Sequence, residues 1–314
     1  MPEPEPGAAE IVVRVSTCGI CRTDLHVIER DLPSDRMPVV PGHQIVGRVE
    51  RSGPGCRRFR PGDRVGIAWL RWTCGRCPFC RSGSENLCDG SRYTGYHEHG
   101  GYAERAVVPE DFAYALPSTF FDLEAAPLLC AGIIGYRALR RSAVAEGGRL
   151  ALYGFGSSAH VAIQIARHRR CEVFVATRGA QHRDLARRLG AAWVGDTFDP
   201  LPAAPDGAIV FAPAGAIVPA ALRAVRKGGT VALAGIHMSP VPEMDYEACL
   251  FHEKNLVSVE ANTRSDGEAL LREAAEIPIR PRVTPFALEQ ANEALIRLAA
   301  DGIDGTGVLV VPEA

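Results

Sequence analysis

The sequence predicts an α/β protein in which a strand-rich domain is followed by a doubly wound parallel sheet. The chain has 314 residues, more than the roughly 250 that a single hydrophobic core usually serves, so two domains are expected. Short β-branched segments separated by Gly, Pro and Asp precede Cys130, whereas buried-type strands alternate with helical patterns after it. This alternation is typical of parallel strands joined by right-handed crossovers.

The elements follow one another in three stretches. Residues 1–130 contain the strand-like segments IVVRVS, IVGRVE, RVGIAW and AERAVV. Residues 131–257 alternate the strands RLALY, EVFVAT, GAIVFAP and TVALAGI with the helical patterns AHVAIQIARHRR, HRDLARRLG and VPAALRAVRKG. In residues 258–314 the alternation fades, and one amphipathic segment, LEQANEALIRLAADG, precedes a last strand, GVLVV.

Composition and charge narrow the classes of partner. The hydrophobic fraction of 46% and the charged fraction of 23% are close to globular averages. A formal net charge of -2 provides no extended basic field for a nucleic acid or an anionic membrane. The sequence has no apolar run of about 18 residues, and its opening, MPEPEPGAAE, is unlike a secretory signal. We therefore expect a cytoplasmic protein with no nucleic-acid or membrane partner.

Four of the ten cysteines lie close together, in the segment CGRCPFCRSGSENLC. Cys74, Cys77, Cys80 and Cys88 have C-x2-C-x2-C-x7-C spacing, which suits tetrahedral zinc on a turn-rich loop. An iron–sulfur cluster is the alternative, because its ligands share part of this spacing. Four thiolates leave no open coordination position, so the predicted zinc site is structural.

A second group of ligand-type residues lies in the distant segments CGICRTDLH, PGHQIVG and APLLCAG. Catalytic zinc commonly takes three protein ligands and keeps one position for water or substrate, and two cysteines with one histidine form one known set. Spacing alone does not connect these segments. Each residue taken singly is also typical of a buried structural side chain.

A glycine-rich turn, GFGSSA, follows the strand RLALY. Gly154, Gly156 and Ala159 form a G-x-G-x-x-A pattern at the start of a helical segment. The first glycine permits a tight turn, the second permits close approach of a pyrophosphate, and the small third residue permits close helix packing. The helix N-terminus attracts phosphate. This strand–turn–helix context predicts a dinucleotide site.

The end of the next strand bears on the choice of cofactor. An NAD site normally has Asp or Glu there for the ribose 2'-hydroxyl, whereas this chain has Thr177 and Arg178. We therefore expect NADP to be preferred over NAD, with Arg178, assisted by Arg183, pairing with the 2'-phosphate. The alternative is that Arg178 is a solvated loop charge.

Together these segments resemble the zinc-dependent medium-chain alcohol dehydrogenase family over nearly the whole chain. The resemblance implies a GroES-like catalytic domain at 1–130, a Rossmann domain at 131–257, and a return to the catalytic domain at 258–314. It implies that Cys21, His43 and Cys130 hold a catalytic zinc, which makes two zinc ions per chain. It also implies hydride transfer between a nicotinamide cofactor and a small-molecule primary or secondary alcohol or aldehyde, in a homodimer or homotetramer.

The residues after Cys21 match the family pattern one by one. By this resemblance Thr23 is the hydroxyl that hydrogen-bonds the zinc-bound alcohol, and His26 is the outer end of a proton relay to solvent. Asp24 orients the ligand histidine, and Arg22 reaches the cofactor pyrophosphate. Without the resemblance, the same stretch is an ordinary helix start.

Three features of the chain qualify this match. Gln44 stands where the family usually has Glu after the ligand histidine, which we expect to alter zinc-water acidity or turnover without abolishing function. Cys18 is expected to be a small buried hydrophobe rather than a redox partner of Cys21. Relatives carry further N-terminal residues before a segment like PEPGAAEIVVRV, so we expect an exposed sheet edge and reduced stability.

Other interpretations stay open at this point. A sorbitol-type polyol dehydrogenase or a cinnamyl-type aldehyde reductase would differ only in the substrate pocket, for which Trp69, Trp72, Tyr96 and Phe120 are candidates. A zinc-ribbon-like binding module would use the four-cysteine segment alone. A catalytically silent relative is the third alternative.

Overall fold

The computed structural model describes residues 2–32, 37–277 and 279–312 and divides into two compact units. Unit 1 comprises residues 1–130 and 261–314, and unit 2 comprises residues 131–260. The second crossing between the units therefore falls slightly later than the 257/258 boundary expected from the sequence.

The first stretch of unit 1 consists of short strands, because β-branched residues alternate with turn residues along it. The four segments predicted as strands are confirmed as β1, β2, β3 and β6. Apolar side chains of these strands, among them Ile11, Val13, Ile45 and Val65, form one buried core. The strands are β1 (Glu10–Gly19), β2 (Gln44–Ser52), β3 (Arg64–Ile67), β4 (Leu70–Trp72), β5 (Arg92–Tyr93), β6 (Arg105–Pro109) and β7 (Ala113–Ala115). The helices are α1 (Arg22–Ile28), α2 (Pro78–Arg81) and α3 (Asp122–Pro127).

Unit 2 contains a parallel sheet, as the sequence predicted, and the sheet has six strands. Its strands are β8 (Arg149–Tyr153), β9 (Glu172–Ala176), β10 (Trp193–Gly195), β11 (Gly207–Val210), β12 (Thr230–Leu233) and β13 (Asn255–Ser258). Its helices are α4 (Ile133–Arg141), α5 (Ser157–His168), α6 (Ala180–Arg188), α7 (Ile217–Ala224) and α8 (Tyr246–Cys249). The spatial order β10-β9-β8-β11-β12-β13 reverses direction beside β8. This is the doubly wound Rossmann order, which leaves a ligand crevice at the reversal.

The chain then returns to unit 1 through α9 (Arg264–Glu276), β14 (Val283–Ala287), α10 (Ala291–Ala299) and β15 (Thr306–Val310). The predicted amphipathic segment and last strand correspond to α10 and β15. The expectation of a single helical element here was wrong, because α9 precedes it. β15 pairs with β1 and β14, which gives the sheet order β14-β15-β1-β2-β3-β7, with β6 also paired to β1.

No helix within the described ranges is long and apolar enough to cross a membrane.

Candidate active site and metal centres

The four clustered cysteines occupy the loop between β4 and β5, which we call the cysteine lobe (residues 74–88). Their sulfur atoms all lie within 4.8 Å of one another. The Cys77 and Cys80 sulfur atoms are 3.5 Å apart, and those of Cys74 and Cys80 are 3.9 Å apart. Sulfur atoms around a tetrahedral zinc with bonds of about 2.3 Å lie about 3.8 Å from one another. All ten cysteines are free, so the donor set fits a tetrahedral metal.

Backbone amides donate to sulfur atoms of this lobe and favour the thiolate form of Cys74. The Cys77 amide donates to Cys74 Sγ at 3.3 Å, and the Cys80 amide donates to Cys77 Sγ at 3.4 Å. Hydrogen bonds from the amides of Arg76 and Cys77 lower the pKa of Cys74 to about 6. A thiolate is the form that binds metal.

The second group also comes together. The ligand atoms of Cys21, His43 and Cys130 lie within 4.8 Å of one another, and Cys21 Sγ is 3.5 Å from His43 Nε2. A tetrahedral zinc bonded to one sulfur and one imidazole nitrogen places these atoms about 3.6 Å apart. Cys21 directly precedes α1, His43 directly precedes β2, and Cys130 lies in a π-helical turn, Leu128–Gly132, after α3.

The electrostatics of this group favour a cation. A hydrogen bond from Cys130, with charge from His43, holds the pKa of Cys21 well below its usual range. That hydrogen bond and burial raise the pKa of Cys130. Burial opposes the charged form of His43, but the charges of Cys21 and Asp24 outweigh it and raise the pKa of His43 to about 10. A metal ion would take the place of these protons, since metal binding to such ligands releases them.

Asp24 connects the two loops that carry the first two ligands. It is 1% exposed, and its Oδ2 accepts a hydrogen bond from the Cys21 amide at 2.8 Å. Its Oδ1 accepts from the Gly42 amide at 3.1 Å and lies 3.6 Å from His43 Nδ1. The last distance is an ion-pair distance and is too long for a hydrogen bond. Burial raises the pKa of Asp24, and the nearby Cys21 charge adds to the shift.

The remaining residues of the CGICRTDLH segment have different environments. Thr23 is buried, and its side chain forms a hydrogen bond with Cys21. His26, in the last turn of α1, places Nδ1 2.8 Å from Asp31 Oδ2. Arg22 is exposed at the start of α1. Cys18 lies on β1 within the apolar core and is not part of the ligand group.

Gln44, the residue after His43, has a buried side chain with polar atoms that are unpaired among the described residues. It is 1% exposed, and within the described part of the chain neither Oε1 nor Nε2 has a hydrogen-bond partner. Its side chain packs against the Cα of Gly19, where a Cβ would lie 2.8 Å from the amide carbon. The amide is therefore closely confined without being satisfied.

Of the four aromatic pocket candidates, Trp69 packs against the ligand residue His43. Its ring centroid is 4.9 Å from that of His43 with an interplanar angle of 71°. Trp69 also stacks on Tyr93 and Tyr96, with centroid distances of 4.9 Å and 5.8 Å. Trp72 is 41% exposed, and Phe120 is buried. Sequence spacing does not reveal Tyr93, because only the pairing of β4 with β5 brings it to Trp69.

The glycine-rich turn has the form expected for a pyrophosphate site. Gly154 has φ +86°, a left-handed conformation that favours glycine, and a Cβ there would lie 2.9 Å from the Ala212 amide nitrogen. Gly156 directly precedes α5 and has open space where a Cβ would stand. Ala159 is fully buried on the first turn of α5. This cradle fits a dinucleotide at the helix N-terminus.

The residues after β9 follow the carboxyl end of an inner strand, since β10 lies outside β9 in the sheet. Thr177 is buried, and its amide donates to the Gly195 carbonyl at 3.0 Å. Arg178 is exposed. Arg183 forms a 3.6 Å ion pair with Asp196, a carboxylate that the sequence analysis did not consider.

Two families match successive parts of the chain. Residues 7–118 match the family described as "Alcohol dehydrogenase GroES-like domain". Residues 159–276 match the family described as "Zinc-binding dehydrogenase". The combination defines a class of enzymes that bind zinc and a nicotinamide cofactor, so the zinc-ribbon-like alternative is not supported.

Individual relatives agree with this class over nearly the whole chain. The probable alcohol dehydrogenase AdhA of Mycobacterium tuberculosis is 50% identical, covering 98% of this chain and 90% of that protein. The structure of a cinnamyl alcohol dehydrogenase from Sorghum bicolor has a TM-score of 0.90 at 30% identity, covering 99% and 92% of the two chains. A Sinorhizobium meliloti structure, assigned as a zinc-binding dehydrogenase and bound to NADP, has a TM-score of 0.89 at 28% identity, covering 98% and 93%. The chain belongs to the zinc-dependent medium-chain alcohol dehydrogenase family.

Proposed function

We propose that the protein transfers a hydride between a nicotinamide cofactor and a primary or secondary alcohol or aldehyde, using a catalytic zinc at Cys21, His43 and Cys130. The convergence of these three side chains from distant segments is the observation that carries the proposal. A zinc ion held by these three residues would supply positive charge to stabilise a developing negative charge on the substrate oxygen.

The chain's own residues provide for the movement of that proton. Thr23 is buried beside Cys21 and offers a hydroxyl to the substrate hydroxyl. His26 is partly exposed and lies one turn further along α1, so its imidazole can pass a proton to solvent. Asp31 Oδ2 lies 2.8 Å from His26 Nδ1 and helps to orient the ring. Asp24 accepts hydrogen bonds from the amides of Cys21 and Gly42 and so joins the loops that carry Cys21 and His43.

The cofactor would lie with its pyrophosphate at Gly154, Gly156 and Ala159, with Arg22 as a further phosphate contact. We propose that NADP is preferred over NAD, with Thr177 and Arg178 at the 2'-phosphate. The exposed guanidinium of Arg178 and the NADP bound to a relative support this preference. Arg183 already forms an ion pair with Asp196. Arg178 is therefore the main basic side chain proposed to contact the 2'-phosphate.

Substitution of Arg178 tests the cofactor proposal. A charge-assisted contact contributes about 1.5–3 kcal/mol, so Arg178→Ala should raise the KM for NADPH by about tenfold to a hundredfold. The KM for NADH should stay unchanged. Arg183→Ala is the matched control, with a smaller expected effect. Equal KM values for NADPH in Arg178→Ala and the unsubstituted protein would contradict the proposal.

Two zinc ions per chain, one at each ligand group, are the second part of the proposal. Elemental analysis should find two zinc ions, and Cys21→Ser and Cys80→Ser should each lose one. Cys18→Ser, in the core beside the site, should retain both. One zinc and no binding of NADPH would favour a catalytically silent relative.

The substrate is addressed by assaying a panel of aldehydes with NADPH and with NADH. Turnover of at least one aldehyde that disappears in Cys21→Ser supports the function proposed. No turnover of any aldehyde by zinc-loaded protein would contradict it.

We further propose a cytoplasmic homodimer or homotetramer. The free cysteines fit a reducing compartment, and sedimentation analysis would measure the oligomeric state.

A further inference from the structure

Hydrogen bonds alone do not explain the orientation of the His43 ring. A histidine that binds metal through one nitrogen usually donates its other N–H to an acceptor, which fixes the ring. Among the described residues, His43 Nδ1 has no hydrogen-bond partner, and Asp24 Oδ1 lies 3.6 Å away. Charge attracts Nδ1 to Asp24 at that distance but does not hold the ring at one angle.

Trp69 supplies the missing constraint. Its ring meets that of His43 nearly edge to face, at 4.9 Å and 71°, an arrangement that aromatic rings prefer. His43 is 1% exposed, so rotation of its ring would have to displace the indole. With the ring in this position, Nε2 lies 3.5 Å from Cys21 Sγ, where a shared metal requires it.

Trp69 is itself firmly held. It stacks on Tyr93 with an interplanar angle of 14° and on Tyr96 with an angle of 17°. Its carbonyl accepts a hydrogen bond from the Thr94 amide at 2.9 Å. The pairing of Leu70 with Tyr93 joins β4, which directly follows Trp69, to β5, which carries Tyr93. These contacts therefore hold the indole of Trp69 in one position.

We propose that Trp69 is a positioning residue that orients His43 and so retains the catalytic metal. The inference rests on the proposed function, since it requires a metal at Cys21, His43 and Cys130. It predicts that loss of the indole changes how fast that one metal leaves, while the metal of the cysteine lobe is unaffected.

The test follows zinc release from the fully loaded protein to a colour-forming chelator. Cys21→Ser and Cys80→Ser identify which kinetic phase belongs to which site. Trp69→Leu should accelerate release from the Cys21 site by about tenfold, which corresponds to about 1.4 kcal/mol. Trp69→Phe keeps an aromatic ring and should be accelerated less than Trp69→Leu. Trp72→Leu, at an exposed position on β4 three residues further along the chain, should release both ions at the normal rates.

A second measurement reads the geometry of the site. Cobalt in place of zinc at the Cys21 site should give visible absorption bands that shift in Trp69→Leu and keep their positions in Trp72→Leu. Tyr93→Leu, which removes the stacking partner and leaves Trp69, should accelerate release from the same site. It takes the place of Trp69→Leu if that variant does not fold.

Normal release rates and unshifted cobalt bands in Trp69→Leu would overturn the inference. So would equal acceleration at both sites, because it would indicate general loosening of the lobe. The proposed function fails separately, if the unsubstituted protein shows only one zinc-release phase and Cys21→Ser leaves it unchanged.

Discussion

Gln44 has a buried side-chain amide whose oxygen and nitrogen both lack a hydrogen-bond partner in the described structure. An unpaired buried polar group costs about 1–3 kcal/mol. Gln44→Met keeps the length of the side chain and removes the amide, so the thermal midpoint should stay the same or rise by a few degrees.

Gln164→Met is the matched control for this comparison. Gln164 donates to the His160 carbonyl at 2.9 Å, so its replacement should lower the midpoint. A clear decrease in Gln44→Met would mean that the amide has a stabilising partner, such as an ordered water.

At the level of single residues, the sequence indicated which side chains could bind metal but not that they meet. The spacing of Cys74, Cys77 and Cys80 predicts their proximity because one short loop carries them. Cys21, His43 and Cys130 belong to three distant segments, so only the tertiary structure, or resemblance, brings them together. The contact of Trp69 with His43 likewise depends on tertiary packing.

At the level of elements, α9 illustrates what the sequence analysis missed. Its apolar positions are interrupted by Gly267, which weakens a helical pattern. The glycine is explained by packing, because a Cβ there would lie 2.5 Å from the Tyr114 ring. The pair Thr263 and Asp266, three residues apart, is the signal that could have identified the start of the helix.

That cap gives a direct prediction. The Thr263 hydroxyl oxygen accepts from the Asp266 amide at 3.2 Å, and Asp266 accepts from the Thr263 amide at 3.0 Å. Thr263→Ala should cost about 1 kcal/mol and lower the midpoint of unit 1 by about 2–4 °C. Thr263→Ser keeps the hydroxyl and should lose much less. Equal losses in the two variants would show that the methyl group, not the cap, is responsible.

The start of α9 is also joined to the cysteine lobe by an ion pair. Arg264 makes two side-chain contacts of 3.1 Å or less with Glu85 Oε2, and its amide donates to Glu85 Oε1 at 2.8 Å. Burial opposes ionisation of Glu85, but Arg264 outweighs it and lowers its pKa below the ordinary 4.5. A lowered folded-state pKa stabilises the protein above the unfolded value, and this contribution is lost as the pH falls through the folded value.

Glu85→Gln should therefore reduce stability at pH 7 by about 1 kcal/mol, after allowing for solvent screening at the partly exposed Arg264. The difference from the unsubstituted protein should shrink as the pH falls below about 4. Thermal unfolding across pH measures both. Asp184→Asn, which removes an exposed ion pair with Arg187, should change little. A difference that persists at low pH would contradict an ionic origin.

At the level of the whole molecule, all seven proposed zinc ligands belong to unit 1. Removing metal with a chelator should lower the unfolding temperature of unit 1 by about 10 °C and leave that of unit 2 unchanged, because bound metal stabilises only the unit that holds it. Differential scanning calorimetry should resolve the two transitions in chelated protein. Equal shifts of both would contradict the assignment.

The broad architecture was the most predictable property at this scale. The repeated strand and helix patterns of unit 2 are local, and their right-handed crossovers leave few arrangements. The short strands β10 and β13 were missed, since three or four residues carry little periodicity. In unit 1 the sheet order was not predictable, because β1 pairs with partners from three different parts of the chain.

The pairing of β1 with β15 has a consequence for synthesis on the ribosome. Thr17 lies opposite Val310. β1 is therefore translated long before its partner strand β15, which follows all of unit 2. Unit 2 is continuous in sequence and can collapse while elongation proceeds. The segment that leads into Cys21 would acquire its neighbour β15 only after that strand has been translated, since the Ile20 amide donates to the Gly307 carbonyl. A nascent chain would then hold all three ligands of the Cys21 site before β15 is available to pack beside them.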